Sequence, residues 1–239
     1  MTQLQTPLDQ LDLALRELRQ GRIVLVYDSL ARENEVDMVV AAELISPEHV
    51  GTMRSGAGGL LCVALGYDVC ERFGIVAMRD ILLFASHRYP VLKLLDEEEA
   101  PYGGKSAFSI TVNHRQTFTG VTDRDRAFTI SELAKLARLT LNDEGSPELF
   151  ASEFKAPGHV HLLQESKGSL SERRGHTELS VYMCRLAELA PAAALCEMLD
   201  ADTHSALSID DAAEYAHEHS VPLVDGQQLV SHYLARSNI

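Results

Sequence analysis

Short apolar runs of strand length alternate with helical segments along this chain of 239 residues, and this alternation constrains the fold most. RIVLVYD, DMVVAAELI and GLLCVAL read as buried strands, and HVHLL and AAALCEML are further candidates. HTELSVYMCRLAEL, between the last two, fits a helix. Because hairpin-like neighbours and helical crossovers both occur, we predict one α/β-type domain with a mixed sheet over residues 1–239.

Capping signals predict where several helices begin. Thr6-Pro7-Leu8-Asp9 places Pro7 at the first position of the first helix. Thr129 and Glu132 have the spacing of a capping box, which predicts that a helix begins at Ile130. Residues 76–105 look irregular and receive no role.

Composition narrows the function to small-molecule chemistry. The formal net charge of −14 argues against a nucleic-acid partner, because phosphate backbones are bound by clustered Lys and Arg. No apolar run approaches the roughly 18 residues of a membrane span. The polar residues after Met1 argue against a secretory signal. None of the four cysteines lies in a C-x-x-C pair, which suits a reducing cytoplasm.

The stretch RENEVD, residues 32–37, concentrates charge between two predicted strands. In an extended chain, Glu33, Glu35 and Asp37 would lie on one face. Three carboxylates on one face repel each other unless a cation meets them, and Mg²⁺ prefers oxygen ligands. A solvated turn is the alternative. The two flanking strands count against that alternative, since a tight hairpin turn favours Gly, Asn or Pro.

A second polar stretch, residues 173–178, runs from a loop into a predicted helix. The first N–H groups of a helix attract anions, and Gly175 would let the chain approach one closely. With an arginine fork and the Thr177 hydroxyl, this stretch could hold a phosphate, and His176 could bind a metal through neutral imidazole. Equally, Thr177 could be only a helix cap beside solvent-exposed arginines.

Two weaker signals complete the candidate site. His159 and His161 are two residues apart and therefore lie on the same face of a predicted strand. A histidine in such a position is more often a structural residue with its hydrogen bonds made than a catalytic one. Glu197 interrupts an apolar strand, and a carboxylate buried there needs a partner or a raised pKa.

Six stretches in this order resemble the 3,4-dihydroxy-2-butanone 4-phosphate synthase family: RENEVD, SGAGGLLCV, FTGVTDRDRAFTI, APGHVHLL, RRGHTELSV and ALCEML. The resemblance implies an α+β fold, a three-layer single domain with a mixed twisted sheet flanked by helices. It also implies a cytoplasmic homodimeric lyase of riboflavin biosynthesis. Such an enzyme would need Mg²⁺, with Mn²⁺ as a possible substitute, and would convert ribulose 5-phosphate to 3,4-dihydroxy-2-butanone 4-phosphate and formate.

The resemblance also assigns residues. The implied metal ligands are Glu33 and His176, and the implied catalytic residues are His159, Glu197 and Asp37. The implied substrate contacts are Arg32, Glu33, Asp37, Arg173, Arg174, Gly175, His176, Thr177 and Glu197. One departure is Val36, where the family usually has Gly: either the backbone there is ordinary β, or Asp37 is displaced.

Two other functions remain open at this point. One is a non-catalytic nucleotide- or RNA-binding module of similar architecture, against which the acidic charge and the carboxylate set speak. The other is a Mg²⁺-dependent sugar-phosphate isomerase, which would stop at the enediol.

Overall fold

Seven strands form one mixed sheet in the computed structural model, which describes residues 7–96, 100 and 102–237. The strands are β1 (Val24–Tyr27), β2 (Val36–Ala41), β3 (Cys62–Leu65), β4 (Phe108–His114), β5 (Phe154–Gln164), β6 (Ala192–Glu197) and β7 (Leu223–Asp225). Their spatial order is β4-β5-β3-β6-β2-β1-β7. The β1–β7 and β3–β5 pairs are parallel and the other four pairs are antiparallel, which confirms the predicted mixed sheet.

Helices connect the strands and cover both faces of the sheet. They are α1 (Pro7–Arg19), α2 (Pro47–Thr52), α3 (Tyr67–Phe73), α4 (Met78–Ala85), α5 (Val91–Leu94), α6 (Asp123–Thr140), α7 (Pro147–Glu153), α8 (His176–Leu186), α9 (Ile209–His219) and α10 (Gly226–Ser237). A π-helical turn, Met53–Ala57, follows α2, and 3₁₀ turns span Ala42–Leu44 and Ser169–Ser171. None of the helices in the described residues is both long and apolar enough to cross a membrane.

Alternation along the central strands divides the core into two clusters, one on each face. In β2, Met38 and Val40 pack toward the face covered by α2, α3, α6 and α9, whereas Val39 and Ala41 pack toward α1, α8 and α10. β6 alternates in the same way. The molecule therefore has three layers, and the predicted α+β fold is confirmed.

Two local predictions were wrong. The helix expected to begin at Ile130 begins at Asp123, because Thr122 caps it by accepting the N–H of Asp125. Thr129 lies inside that helix, where its hydroxyl accepts the N–H of His114 instead of capping. Residues 76–105, expected to be irregular, contain α4 and α5. The predicted cap residue Thr6 lies outside the described residues, although α1 begins at Pro7 as predicted.

Candidate active site

The candidate site lies at strand ends on the α8 face of the sheet. Asp37 of β2 and Glu197 of β6 are direct cross-strand neighbours in the antiparallel register. By strand alternation both belong to the face that α8 covers. The sheet thus brings together two carboxylates that are 160 residues apart in sequence.

The charged stretch forms the connection between β1 and β2. The buried Asp28 accepts the N–H of Glu33 at 2.9 Å and that of Glu35 at 3.0 Å. Asn34 has a φ of 57°, in the left-handed region that asparagine tolerates. The stretch is therefore a hairpin connection, and the two arguments that it is extended and that it lacks a turn residue were both wrong.

That turn directs Glu33 toward the first residue of α8. His176 Nδ1 lies 3.4 Å from Glu33 Oε2, and His176 Nε2 lies 3.6 Å from Asp37 Oδ1. The same Nε2 is 3.1 Å from the carbonyl oxygen of Val26. In the neutral tautomer that donates Nε2–H to Val26, the Nδ1 lone pair points toward Glu33.

These close charges shift one another's pKa values. Burial and the neighbouring carboxylates raise the pKa of Asp37 to about 7, although His176 opposes them. Burial lowers the pKa of His176, but Asp37, Glu33 and Asp28 outweigh it and raise the value to about 9. Burial also raises the pKa of Glu33, yet contacts with His176, Tyr102 and Arg32 hold it at about 2.

The donor set at this point fits a hard divalent cation. One ligand atom each from Asp28, Glu33 and His176 lie within 4.8 Å of one another. Asp37 Oδ1 is buried and makes no hydrogen bond to the described residues. Two or more carboxylates with one imidazole suit Mg²⁺ or Mn²⁺. Because both Asp28 oxygens already accept backbone N–H groups, Asp28 mainly holds the turn.

A glycine-rich turn after the π-helical segment fixes Glu197. Leu60 donates its N–H to Glu197 Oε2 at 2.7 Å. A Cβ on Gly59 would lie 2.5 Å from the carbonyl oxygen and 2.6 Å from Oε2 of the same glutamate. The SGAGGLLCV stretch therefore positions a carboxylate, which sequence reasoning did not assign to it.

We predict that Gly59→Ala displaces the Glu197 carboxylate and lowers kcat by about 10²-fold, the cost of misplacing a reacting group by about 1 Å. Steady-state kinetics would measure this effect. The control is Ala213→Gly on α9, a change of one methyl group away from the cleft. Gly103→Ala would not serve, because Gly103 has a positive φ, at which an alanine is strained. Full activity of Gly59→Ala would show that Glu197 tolerates movement.

The phosphate candidates separate into two groups. Arg173 and the buried Thr177 line the cleft, whereas Arg174 is exposed and is not among the lining residues. Arg32, the other arginine among the predicted substrate contacts, does not line the cleft. Its guanidinium lies 3.3 Å from Glu33 and 4.9 Å above the ring centre of Tyr102. Gly175 precedes α8 as its N-cap.

The opposite wall of the cleft comes from the segment to which no role was given. The cleft has a volume of about 440 Å³, and its apolar wall includes Met78, Leu82 and Leu92 of α4 and α5. Tyr102 faces Glu33 from this side, where it lowers the pKa of that carboxyl, and Lys105 also lines the cleft. These residues were missed because residues 76–105 were interpreted as irregular. Met78, Ile81 and Leu82 recur at helical spacing, and that pattern could have predicted α4.

His159 lies outside the cleft. Its side chain is exposed on β5, and its backbone N–H donates to Asn113 Oδ1 at 2.8 Å. Its ring therefore does not meet Glu33, Asp37 or Glu197 within the described chain. His161, two residues further along the same face of β5, packs edge-on against Phe108, with the two ring centres 6.2 Å apart.

Val36, the departure from the usual glycine, has an ordinary backbone. It is the first residue of β2, pairs with Tyr27 and is buried. Its φ is not among the positive values. Of the two alternatives, the structure has the β backbone, with Asp37 in register opposite Glu197.

Fold and cleft together define a class: a three-layer α+β enzyme with a carboxylate- and histidine-lined cleft that could hold a metal ion. The family model for 3,4-dihydroxy-2-butanone 4-phosphate synthase matches residues 12–232. The synthase of Methanothermobacter thermautotrophicus is 49% identical over 92% of this chain and 94% of its own length. That of Archaeoglobus fulgidus is 42% identical over 92% of each chain.

Solved structures agree with the sequence comparisons. The synthase of Candida albicans superimposes with a TM-score of 0.72 at 28% identity, covering 95% of this chain and 97% of that one. A synthase in complex with two magnesium ions gives a TM-score of 0.74 at 25% identity, covering 93% of this chain and 95% of that one. The chain belongs to the 3,4-dihydroxy-2-butanone 4-phosphate synthase family, whose members are lyases of riboflavin biosynthesis.

Proposed function

We propose that this enzyme converts D-ribulose 5-phosphate to L-3,4-dihydroxy-2-butanone 4-phosphate and formate. The observation that carries the proposal is the meeting of Glu33, Asp37, His176 and Glu197 in one cleft. The proposed route forms an enediolate, loses the C1 hydroxyl as water, rearranges the carbon skeleton and releases one carbon as formate. Atoms balance, because the water lost in the second step is taken up again when formate is released.

Glu33 and His176 would hold the metal in this proposal. The 3.4 Å separation of Glu33 Oε2 and His176 Nδ1 and the unpaired Asp37 Oδ1 nearby support it. When bound, Mg²⁺ would stabilise negative charge on neighbouring oxygens of the ketose. The magnesium complex of the structurally similar synthase supports the choice of metal. We propose that Mn²⁺ substitutes, because the same oxygen and imidazole ligands suit it.

Asp37 and Glu197 would exchange protons with the substrate. Each proposed step moves a proton, so the reaction calls for carboxyl groups near working pH and not for a strong nucleophile. The pKa of Asp37, about 7 because of burial and neighbouring carboxylates, matches that requirement. Glu197, fixed by the N–H of Leu60, would act from the adjacent strand.

The remaining candidates would bind the substrate. The Arg173-to-Thr177 loop would hold the phosphate at the start of α8, where backbone N–H groups and the helix dipole favour an anion. Gly175 and His176 belong to this loop, and Arg174 would approach the phosphate from its exposed position. Arg32 would contact the sugar beside Glu33.

Incubation with ribulose 5-phosphate and Mg²⁺, followed by detection of formate, tests the proposal. We expect one formate and one four-carbon phosphate per substrate consumed. A new pentose phosphate without formate would indicate an isomerase, and unchanged substrate would indicate a binding module. Either result would overturn the proposed reaction.

We further propose that the chain is one domain that works as a cytoplasmic homodimer. The four cysteines are buried and unpaired, as suits a reducing compartment.

Phe118 is 95% exposed and Val121 is 52% exposed, and both flank Gly120, which packs beside Asn113 and so near His159. We propose that these two exposed side chains contact the second copy in the dimer. A catalytic role for His159 would then require the cleft of the second copy.

We predict that two inactive variants complement each other. In a dimer of His159→Asn with Glu33→Gln, one cleft would combine an intact Glu33 with an intact His159, so random mixing should restore about a quarter of the wild-type activity. Refolding mixtures of the two variants and assaying formate would measure this. The control mixes Glu33→Gln with a chain that carries both substitutions. It should stay inactive, because neither chain then has Glu33. Absence of recovery in the first mixture would place His159 elsewhere.

A further inference from the structure

Arg173 reaches the cleft with its charge matched by a buried carboxylate. Its Nη1 lies 2.6 Å from Oε2 of Glu178, whose side chain has no exposed surface. We propose that Glu178 is a positioning residue that holds the Arg173 guanidinium at the cleft wall, where it binds the substrate phosphate. The inference deepens the proposed function and rests on it.

Both carboxylate oxygens of Glu178 are used. Oε1 accepts the N–H of Ser166 at 3.0 Å, while Oε2 takes the guanidinium. Glu178 thus ties the loop after β5 to the first turn of α8, two residues after His176. A side chain anchored at both oxygens offers a fixed partner, so Arg173 is oriented before the substrate arrives.

The guanidinium keeps donors for an anion. It carries five N–H groups in a planar fork, and its one hydrogen bond to the described residues is that to Glu178. Its side chain is 16% exposed and lines the cleft beside Thr177. Arg173 can therefore bind Glu178 and a phosphate at the same time, with different nitrogens.

Gly175 provides an independent observation. A Cβ there would lie 2.5–3.0 Å from the three terminal guanidinium atoms of Arg173. The backbone of Gly175, with a φ of −94° and a ψ of 173°, is one that any residue adopts. The glycine therefore leaves room for the arginine. Close approach of its backbone to an anion stays a prediction.

The test compares KM, kcat and the competitive inhibition constant of inorganic phosphate in single variants. Arg173→Ala, Glu178→Gln and Gly175→Ala should each raise KM and the phosphate constant by about 10–100-fold, the loss of a charged hydrogen bond. We expect kcat to change less than threefold, because the arginine should bind the phosphate equally well in the substrate complex and in the transition state. Glu172→Gln is the matched control, because Glu172 is exposed in the same loop and its carboxylate accepts the N–H of Gly168 and not a hydrogen bond from Arg173.

Double variants separate positioning from a merely structural role. In the Arg173→Ala background, Gly175→Ala and Glu178→Gln should add no further increase in KM, because both act through the missing guanidinium. The inference would be overturned if Gly175→Ala or Glu178→Gln raised KM further in the Arg173→Ala background. It would also be overturned if folded Gly175→Ala and Glu178→Gln had the wild-type KM. Gly175→Ala keeps both charged partners, so it remains informative if Glu178→Gln fails to fold.

Calorimetric binding of inorganic phosphate distinguishes this inference from the proposed reaction. Wild-type protein that binds phosphate through Arg173 but releases no formate would overturn the reaction alone. Wild-type protein that releases formate while Glu178→Gln binds phosphate normally would overturn the positioning role alone.

Discussion

Glu33→Gln should lower turnover by about 10²–10⁴-fold and should also weaken Mg²⁺ binding. The amide keeps the volume of the side chain but removes the negative charge opposite His176 Nδ1, 3.4 Å away. It leaves Asp28, which holds the turn through the backbone, untouched. Calorimetric titration with Mg²⁺ alongside the formate assay would measure both effects.

The control for this variant is Glu214→Gln. Glu214 is exposed on α9 and lies outside the cleft, so the same substitution there should leave both measurements unchanged. Near-normal turnover of Glu33→Gln, or a loss of turnover with full Mg²⁺ affinity, would remove Glu33 from the proposed metal ligands. Circular dichroism should show that the variant is folded, because the amide keeps the size of a side chain that is 21% exposed.

Glu197→Gln should lower kcat by a similar 10²–10⁴-fold but should leave Mg²⁺ affinity nearly unchanged. Glu197 does not belong to the group of ligand atoms around Glu33 and His176 in the described residues. Its amide oxygen can still accept the N–H of Leu60, so the side chain should stay in place. The loss would then reflect proton transfer alone, measured as kcat at saturating substrate.

Glu197→Asp provides the second arm of this experiment. It keeps the carboxyl group but withdraws it by about one methylene from Leu60, so kcat should again fall by about 10²-fold if position matters. If Glu197→Gln loses Mg²⁺ binding together with turnover, Glu197 acts on the metal and not on the substrate protons.

Local signals in the sequence predicted the sheet well. The apolar runs carry enough β-branched and aliphatic residues to form β1, β2, β3 and β6 at the expected places. The same kind of signal failed at α6, because Thr122 and Asp125 form an equally good cap about two turns earlier. Where two caps compete, burial of Thr129 against β4 decides, and that contact is tertiary.

The charged stretch shows a different limit. Extended geometry was the basis for placing Glu33 and Asp37 together, and they do meet in one cleft, but through a turn. Asn34 was present in the stretch as a turn residue and was overlooked. The residues around the site were identified from a family resemblance; their mutual geometry could not have come from spacing, because His176 lies more than a hundred residues away.

By itself, the sequence determined most of the strands, the mixed sheet and the polar residues available for chemistry, because these depend on periodicity and residue type over a few neighbours; α4 and α5 were not among the predicted elements. Only the tertiary structure decided that Tyr102 and α4 close the cleft, that Gly59 makes room for Glu197, and that Glu178 pairs with Arg173. Those are contacts between separate segments. Their energies depend on distance and burial in the folded chain, and neither quantity is encoded in a local pattern.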